Sequence, residues 1–230
     1  MYGSTAVTES WRSAEQINSA MLRVYNHMAL AVAVSAIVAG LVASSPAAMA
    51  FLYTGVMQWI VLFAPLAAIF GVTIALNANP SREIAALLLH GFAALMGLSM
   101  GAIVHVYTTA SLVSAFVSSA ILFGTMSLYG YFTRQSLDSL GKYLFVGLIA
   151  IVIASIVNIF VGSSLATMVI SAIAILIFLG LTAYDTQKIR EMVSYEDATG
   201  AQEIAGALSL YLDFINIFTS MLQIFGSRDD

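Results

Sequence analysis

Asp185 and Asp213 are the residues whose type and setting most invite chemistry in this sequence. Both fall in or at the end of long apolar stretches. There an ionisable side chain costs roughly 2.5–3.5 kcal/mol at mid-helix and usually marks function. Asp213 lies eight residues in from Ala205, ~12 Å along a helix axis. Around it Gly206, Ser209, Asp213, Asn216, Ser220 and Gln223 recur at spacings of 3, 4, 3, 4 and 3, one stripe of a helix. Such a stripe, with Ser209, Asn216 and Ser220 supporting Asp213, belongs in a bundle interior or along a water-filled path. The alternative for Asp213 is a purely structural hydrogen-bonding role. For Asp185 it is an interfacial ion pair with the nearby Lys188 and Arg190. If the two aspartates approach each other, like-charge coupling and desolvation make them a proton-sensitive pair. Their oxygens would also attract a hard cation such as calcium, bound transiently.

Other chemistry is thinly represented. Cysteine is absent, which removes disulfides, thiolate zinc sites and a cysteine nucleophile. His27, His90 and His105 have no metal-ligand spacing and read as packed or interfacial histidines. There is no Gly-x-Ser-x-Gly and no His-Glu-x-x-His, and the last apolar stretch has no lysine for a retinal Schiff base. No cofactor is expected. No basic run could track a phosphate backbone, so nucleic acid is not an expected partner.

The elements that must carry the aspartates are membrane spans. Charged residues make up 9% of the chain, against about 25% in a soluble domain, too few to keep it in water. Windows of about 20 apolar residues lie at 24–43, 56–76, 84–104, 112–132, 143–161, 165–184 and 204–225. Residues 1–23 form an N-terminal segment, 24–226 a seven-helix membrane domain and 227–230 a tail. Within the first segment, residues 11–24 suit a short interfacial helix with Trp11 and Tyr25 at headgroup level, or a loosely ordered tail. No cleavable signal is expected before span one, which would then serve as the targeting signal. Pro65 should kink or break span two. Gln58 and Asn158 should hydrogen-bond between helices. Ala93, Gly97 and Gly101 form a small-residue ridge for close helix packing and, second to that, a dimer face.

Lys and Arg set the orientation. With seven crossings, seven of the eight basic residues fall on the side of the N-terminus, and only Arg228 falls on the other. The N-terminus is therefore expected in the cytoplasm and the C-terminus outside. A re-entrant last helix would satisfy the same charge rule.

Three stretches carry a resemblance: Phe123-Gly124-Thr125-Met126-Ser127-Leu128-Tyr129-Gly130-Tyr131, Gly180-Leu181-Thr182-Ala183-Tyr184-Asp185-Thr186-Gln187-Lys188, and Leu210-Tyr211-Leu212-Asp213-Phe214-Ile215-Asn216-Ile217-Phe218. Through them, and from about residue 21 to 226, the chain resembles the bacterial branch of the transmembrane Bax-inhibitor-motif family. The resemblance implies an all-α polytopic protein of the bacterial inner membrane. Two layers of three helices would enclose a central C-terminal helix. It also implies a pH-sensitive calcium leak, with Asp185 and Asp213 as the proton-sharing pair and no enzymatic activity. Some calcium-conducting relatives carry an acidic residue and a latching arginine in span two. Span two here has neither, and Arg82, just beyond it, is the nearest candidate latch.

Two other classes compete with a cation pathway. An intramembrane aspartyl protease would need a Gly-rich approach to its second aspartate, where Leu210-Tyr211-Leu212 is bulky instead. A regulatory protein would bind a partner such as a membrane protease through the N-terminal tail and the loop 194–202. In every reading the lipid bilayer is a partner.

Overall fold

A computed structural model describes residues 12–228, and among them the chain forms eight helices. They are α1 (Ala14–Ala43), α2 (Pro46–Leu52), α3 (Met57–Asn77), α4 (Arg82–Val106), α5 (Thr109–Phe132), α6 (Asp138–Val161), α7 (Ser164–Met192) and α8 (Gly200–Phe225). All but α2 are long and apolar enough to cross a membrane, so the seven expected spans are present. The helices outrun the apolar windows, because a window marks only the part that must sit in hydrocarbon. α7 continues eight residues beyond the expected end, through Asp185, Lys188 and Arg190.

The helix starts follow capping rules. Ser13 and Gln16 form a capping box on α1, and Thr199 and Gln202 form another on α8. Of the two alternatives for residues 11–24, an interfacial helix or a loosely ordered tail, neither describes the chain from Ala14 onward. From Ala14 onward the chain is already α1, continuous with the span, and Trp11 lies outside the described residues. Pro46 opens α2 at the first helical position, where its missing N–H costs nothing.

Pro65 does not break α3. Proline at 65 leaves the carbonyl of Val61, four residues earlier, without its helical donor. The Ser99 hydroxyl of α4 donates to that carbonyl at 2.5 Å. A neighbouring helix thus supplies the missing bond. Gln58 makes no interhelical bond and sits exposed in the first turn of α3, outside the bundle. Asn158 does bridge, donating to Thr167 at 2.8 Å across the α6–α7 turn.

α1, α3 and α4 form one layer, and α5, α6 and α7 the other. α8 packs on both and is the most buried span. On the first side, Tyr211 is fully buried with its hydroxyl 2.6 Å from Ser35, which also donates to the Ala93 carbonyl at 2.7 Å. On the second, Phe214 meets Phe116 and Phe123 edge-on. The ridge on α4 packs within the chain: a Cβ on Gly97 would strike Ser35 and Val38 of α1, and one on Gly101 would strike Val42. Large apolar side chains such as Leu87, Phe132, Phe160 and Leu176 face outward, as a lipid-facing surface requires.

Candidate functional site

α8 positions Asp213 halfway along a helix of 26 residues, with the carboxylate side chain buried. The antiparallel register against α7 follows from two contacts. Gly206 abuts Ile189 near one end, and Ser171 donates to Gln223 at 2.6 Å near the other. That register sets Thr182 opposite Asp213, and the Thr182 hydroxyl is within hydrogen-bonding reach of the carboxylate. Asp185 follows three residues later on α7, about one turn nearer that helix's C-terminus. The same register puts Asp185 and Asp213 about one helical turn apart along the α7–α8 interface. Both sequence-selected aspartates thus lie on the helices of the α7–α8 interface, within about one turn of each other.

The pocket gives Asp213 few donors. One of its oxygens, Oδ2, has no hydrogen-bond partner in the protein. Thr182 also points its hydroxyl at the Phe178 carbonyl, 2.7 Å away. A hydroxyl has one proton, so it serves Phe178 or Asp213 at any moment. When it serves Phe178, its oxygen can accept a proton bond from a neutral Asp213.

Asp185 is only partly buried, and the alternative considered for it, an ion pair with Lys188 or Arg190, is not formed. Lys188 instead reaches Asp138 at 3.3 Å and Glu191 at 3.6 Å, while Arg190 lies over the Tyr131 ring at 4.9 Å. Lys188, Arg190 and Glu191 are all exposed. α5 crosses α7 at the same level. Ser127 lies 3.1 Å from the Thr186 hydroxyl, and a Cβ on Gly130 would collide with the Ala183 carbonyl oxygen. Only glycine allows that approach.

The rest of the stripe lines the same α8 face in part. Ser220 is buried and Ser209 half-buried, while Asn216 turns its amide back to the Leu212 carbonyl at 2.7 Å. Among the described residues no group of three or more His, Asp or Glu side chains is gathered to hold a metal ion. Two carboxylates alone are few for calcium, which takes six to eight oxygens.

Arg82 does not face the aspartates. Its Nη2 donates to Glu203 at 2.8 Å, ten residues or ~15 Å along α8 from Asp213. Glu203, which sequence reasoning passed over, is the most heavily engaged carboxylate among the described residues. Its side chain is 3% exposed. Arg23 grips it with two bonds of 2.9 and 2.6 Å, and Arg12 approaches to 3.9 Å. Arg12 in turn donates to the carbonyls of Val193 and Ala198 in the α7–α8 connection. The signal for Glu203 lay in the clustering of Arg12, Arg23 and Arg82 on one side of the membrane. Glu203 itself stood just before the last apolar window and so escaped the test for buried charge.

The comparisons agree with the likeness seen in the motifs. Residues 17–230 match the family model described as Inhibitor of apoptosis-promoting Bax1. Among curated relatives, the inner membrane protein YbhL of Escherichia coli strain K12 is 40% identical over 213 residues, covering 90% of this chain and 91% of YbhL. An uncharacterised protein of Deinococcus radiodurans is 37% identical over 222 residues, covering 95% and 94%. The protein RP147 of Rickettsia prowazekii is 36% identical over 222 residues, covering 94% and 92%. With that coverage, and with seven spans arranged as two layers around a buried last helix, this chain belongs to the Bax-inhibitor-motif family of multi-pass membrane proteins.

Proposed function

We propose that the protein is a passive cation pathway of the bacterial inner membrane, used by calcium and gated by protonation of Asp185 and Asp213. The observation that carries this reading is Asp213 buried at mid-span with one oxygen unpartnered, about one turn from Asp185 in the α7–α8 register. A structural hydrogen-bonding role would leave that oxygen satisfied, since an orphaned buried acceptor costs about 1–3 kcal/mol. Charged, the pair repels itself across the helix interface and attracts a divalent cation through oxygen ligands. Once one carboxyl is protonated, it can donate a hydrogen bond to the other or to Thr182. The attraction is lost, and α7 closes on α8. Acidification therefore shuts the path and alkalinisation opens it. The inner membrane of YbhL and the excess of Arg and Lys beside the N-terminus favour a cytoplasmic N-terminus.

The test is calcium entry into liposomes holding the purified protein, followed by an entrapped indicator from alkaline to acidic pH. Flux should fall as the pH is lowered in the wild type. Asp213→Asn and Asp185→Asn should each flatten that dependence. Flux that is indifferent both to pH and to Asp213→Asn would overturn the proposal.

A further inference from the structure

A second pair of titratable side chains lies away from the aspartates, in the other layer. His27 of α1 and His90 of α4 are 63 residues apart in sequence, yet their ring centroids are 5.7 Å apart at an interplanar angle of 48°. The Nδ1 of His90 lies 2.6 Å from the Ala86 carbonyl of its own helix. That bond requires a proton on Nδ1 and leaves Nε2 of the neutral ring as a bare lone pair. This Nε2 is buried with no partner in the protein, and so is Nδ1 of His27. Two neighbouring imidazoles thus each hold an unsatisfied, buried nitrogen.

We propose that His27 and His90 bind a transition-metal dication of the zinc class. Three features carry the assignment. An imidazole whose other nitrogen donates to a backbone carbonyl has the orientation and tautomer typical of a metal ligand, and His90 has both. A ring centroid sits about 3.2 Å from a metal bound at about 2.1 Å, so with both free nitrogens turned to one ion the 5.7 Å separation gives a ligand–metal–ligand angle of about 125°, within the reach of a distorted tetrahedron. A direct N–H···N bond would bring the centroids closer, and none is formed. Besides His90, the charged groups acting on His27 are Arg82 and Glu203, which pair with one another at 2.8 Å. No third His, Asp or Glu joins the pair among the described residues, and water must complete the shell. Borderline nitrogen ligands select zinc, nickel or copper, whereas calcium prefers oxygen. The site is therefore separate from the aspartate pair in place and in chemistry.

The full-length protein, free of any histidine tag, is titrated calorimetrically with Zn²⁺ in detergent and examined with Cu²⁺ by electron paramagnetic resonance. One Zn²⁺ per chain should bind, with Ca²⁺ failing to displace it. His27→Gln or His90→Gln should weaken binding about tenfold or more. His105→Gln and Asp185→Asn should leave it unchanged. The Cu²⁺ spectrum of the wild type should carry coupling to two imidazole nitrogens, a readout that needs no variant to fold. Wild-type protein that binds no more Zn²⁺ than the His27→Gln/His90→Gln variant, or a Cu²⁺ spectrum without nitrogen coupling, overturns the site.

Discussion

At the scale of single residues, the two buried carboxylates of α8 are kept in opposite ways. Asp213 is left short of donors and set against another carboxylate. Glu203 is surrounded by three guanidiniums. The first arrangement suits a group that changes charge, and the second suits one that ties helices together. Removing the Glu203 charge should therefore act on stability rather than on gating. Glu203→Gln leaves Arg12, Arg23 and Arg82 facing one another around a neutral amide. A fully buried pair broken this way costs about 3–5 kcal/mol, but Arg23 and Arg82 keep 39% and 46% of their exposure. Solvent screening lowers the expected loss to roughly 1–3 kcal/mol. Thermal unfolding in detergent should show it, while Glu191→Gln, at an exposed pair with Lys188, should show none. Equal melting of the two variants would mean that the arginine cluster does not hold the fold. Asp213 was legible in the sequence because its stripe repeats at helical spacing within one span. Glu203 was not, because its partners come from positions 12, 23 and 82, and nothing local records which carboxylate they will choose.

At the scale of elements, the sequence revealed the spans and the central place of α8 but not the devices that let helices touch. The spans are legible because some 20 apolar residues are needed to cross the hydrocarbon. α2 was missed because seven residues are too few to show a helical period. The repair at Pro65 was missed because its donor, Ser99, is on another helix. That repair can be isolated. Ser99→Ala leaves the Val61 carbonyl, inside the bundle, without a donor, and should cost about 1–2 kcal/mol. Pro65→Ala returns a backbone N–H to the same carbonyl. In that background Ser99→Ala should cost far less, giving a coupling energy of about 1 kcal/mol in a double-mutant cycle. Unfolding midpoints of the four proteins measure it. Strictly additive losses would show that Ser99 is not what keeps α3 continuous.

At the scale of the whole molecule, the two ends of α8 fasten to different faces, which answers the question that the charge rule left open. Near its start, Glu203 is held by Arg23 and Arg82, and Thr199 meets Asn79 of the α3–α4 turn at 2.6 Å. Beyond its end, Ser227 accepts from the Thr108 amide at 3.1 Å, and Arg228 lies 5.8 Å over the Tyr107 ring, both at the α4–α5 turn. α4 separates those two turns by its full 25 residues, ~38 Å, more than the ~30 Å hydrocarbon core. A re-entrant α8 would have to return to the face it left, and the contacts with Tyr107 and Thr108 forbid that. The chain has no cysteine, so single introduced thiols report sidedness cleanly. Ser136→Cys, in the exposed α5–α6 connection, should react with an impermeant maleimide only in inverted membrane vesicles. Ser227→Cys should react only in intact cells with a permeable outer membrane. Labelling of both from the cytoplasmic side would make α8 re-entrant, and labelling with the two sides exchanged would reverse the orientation drawn from the arginines. The expected pattern would place Asp213 at mid-depth between two aqueous faces, where a carboxylate must stand if its charge is to control what crosses.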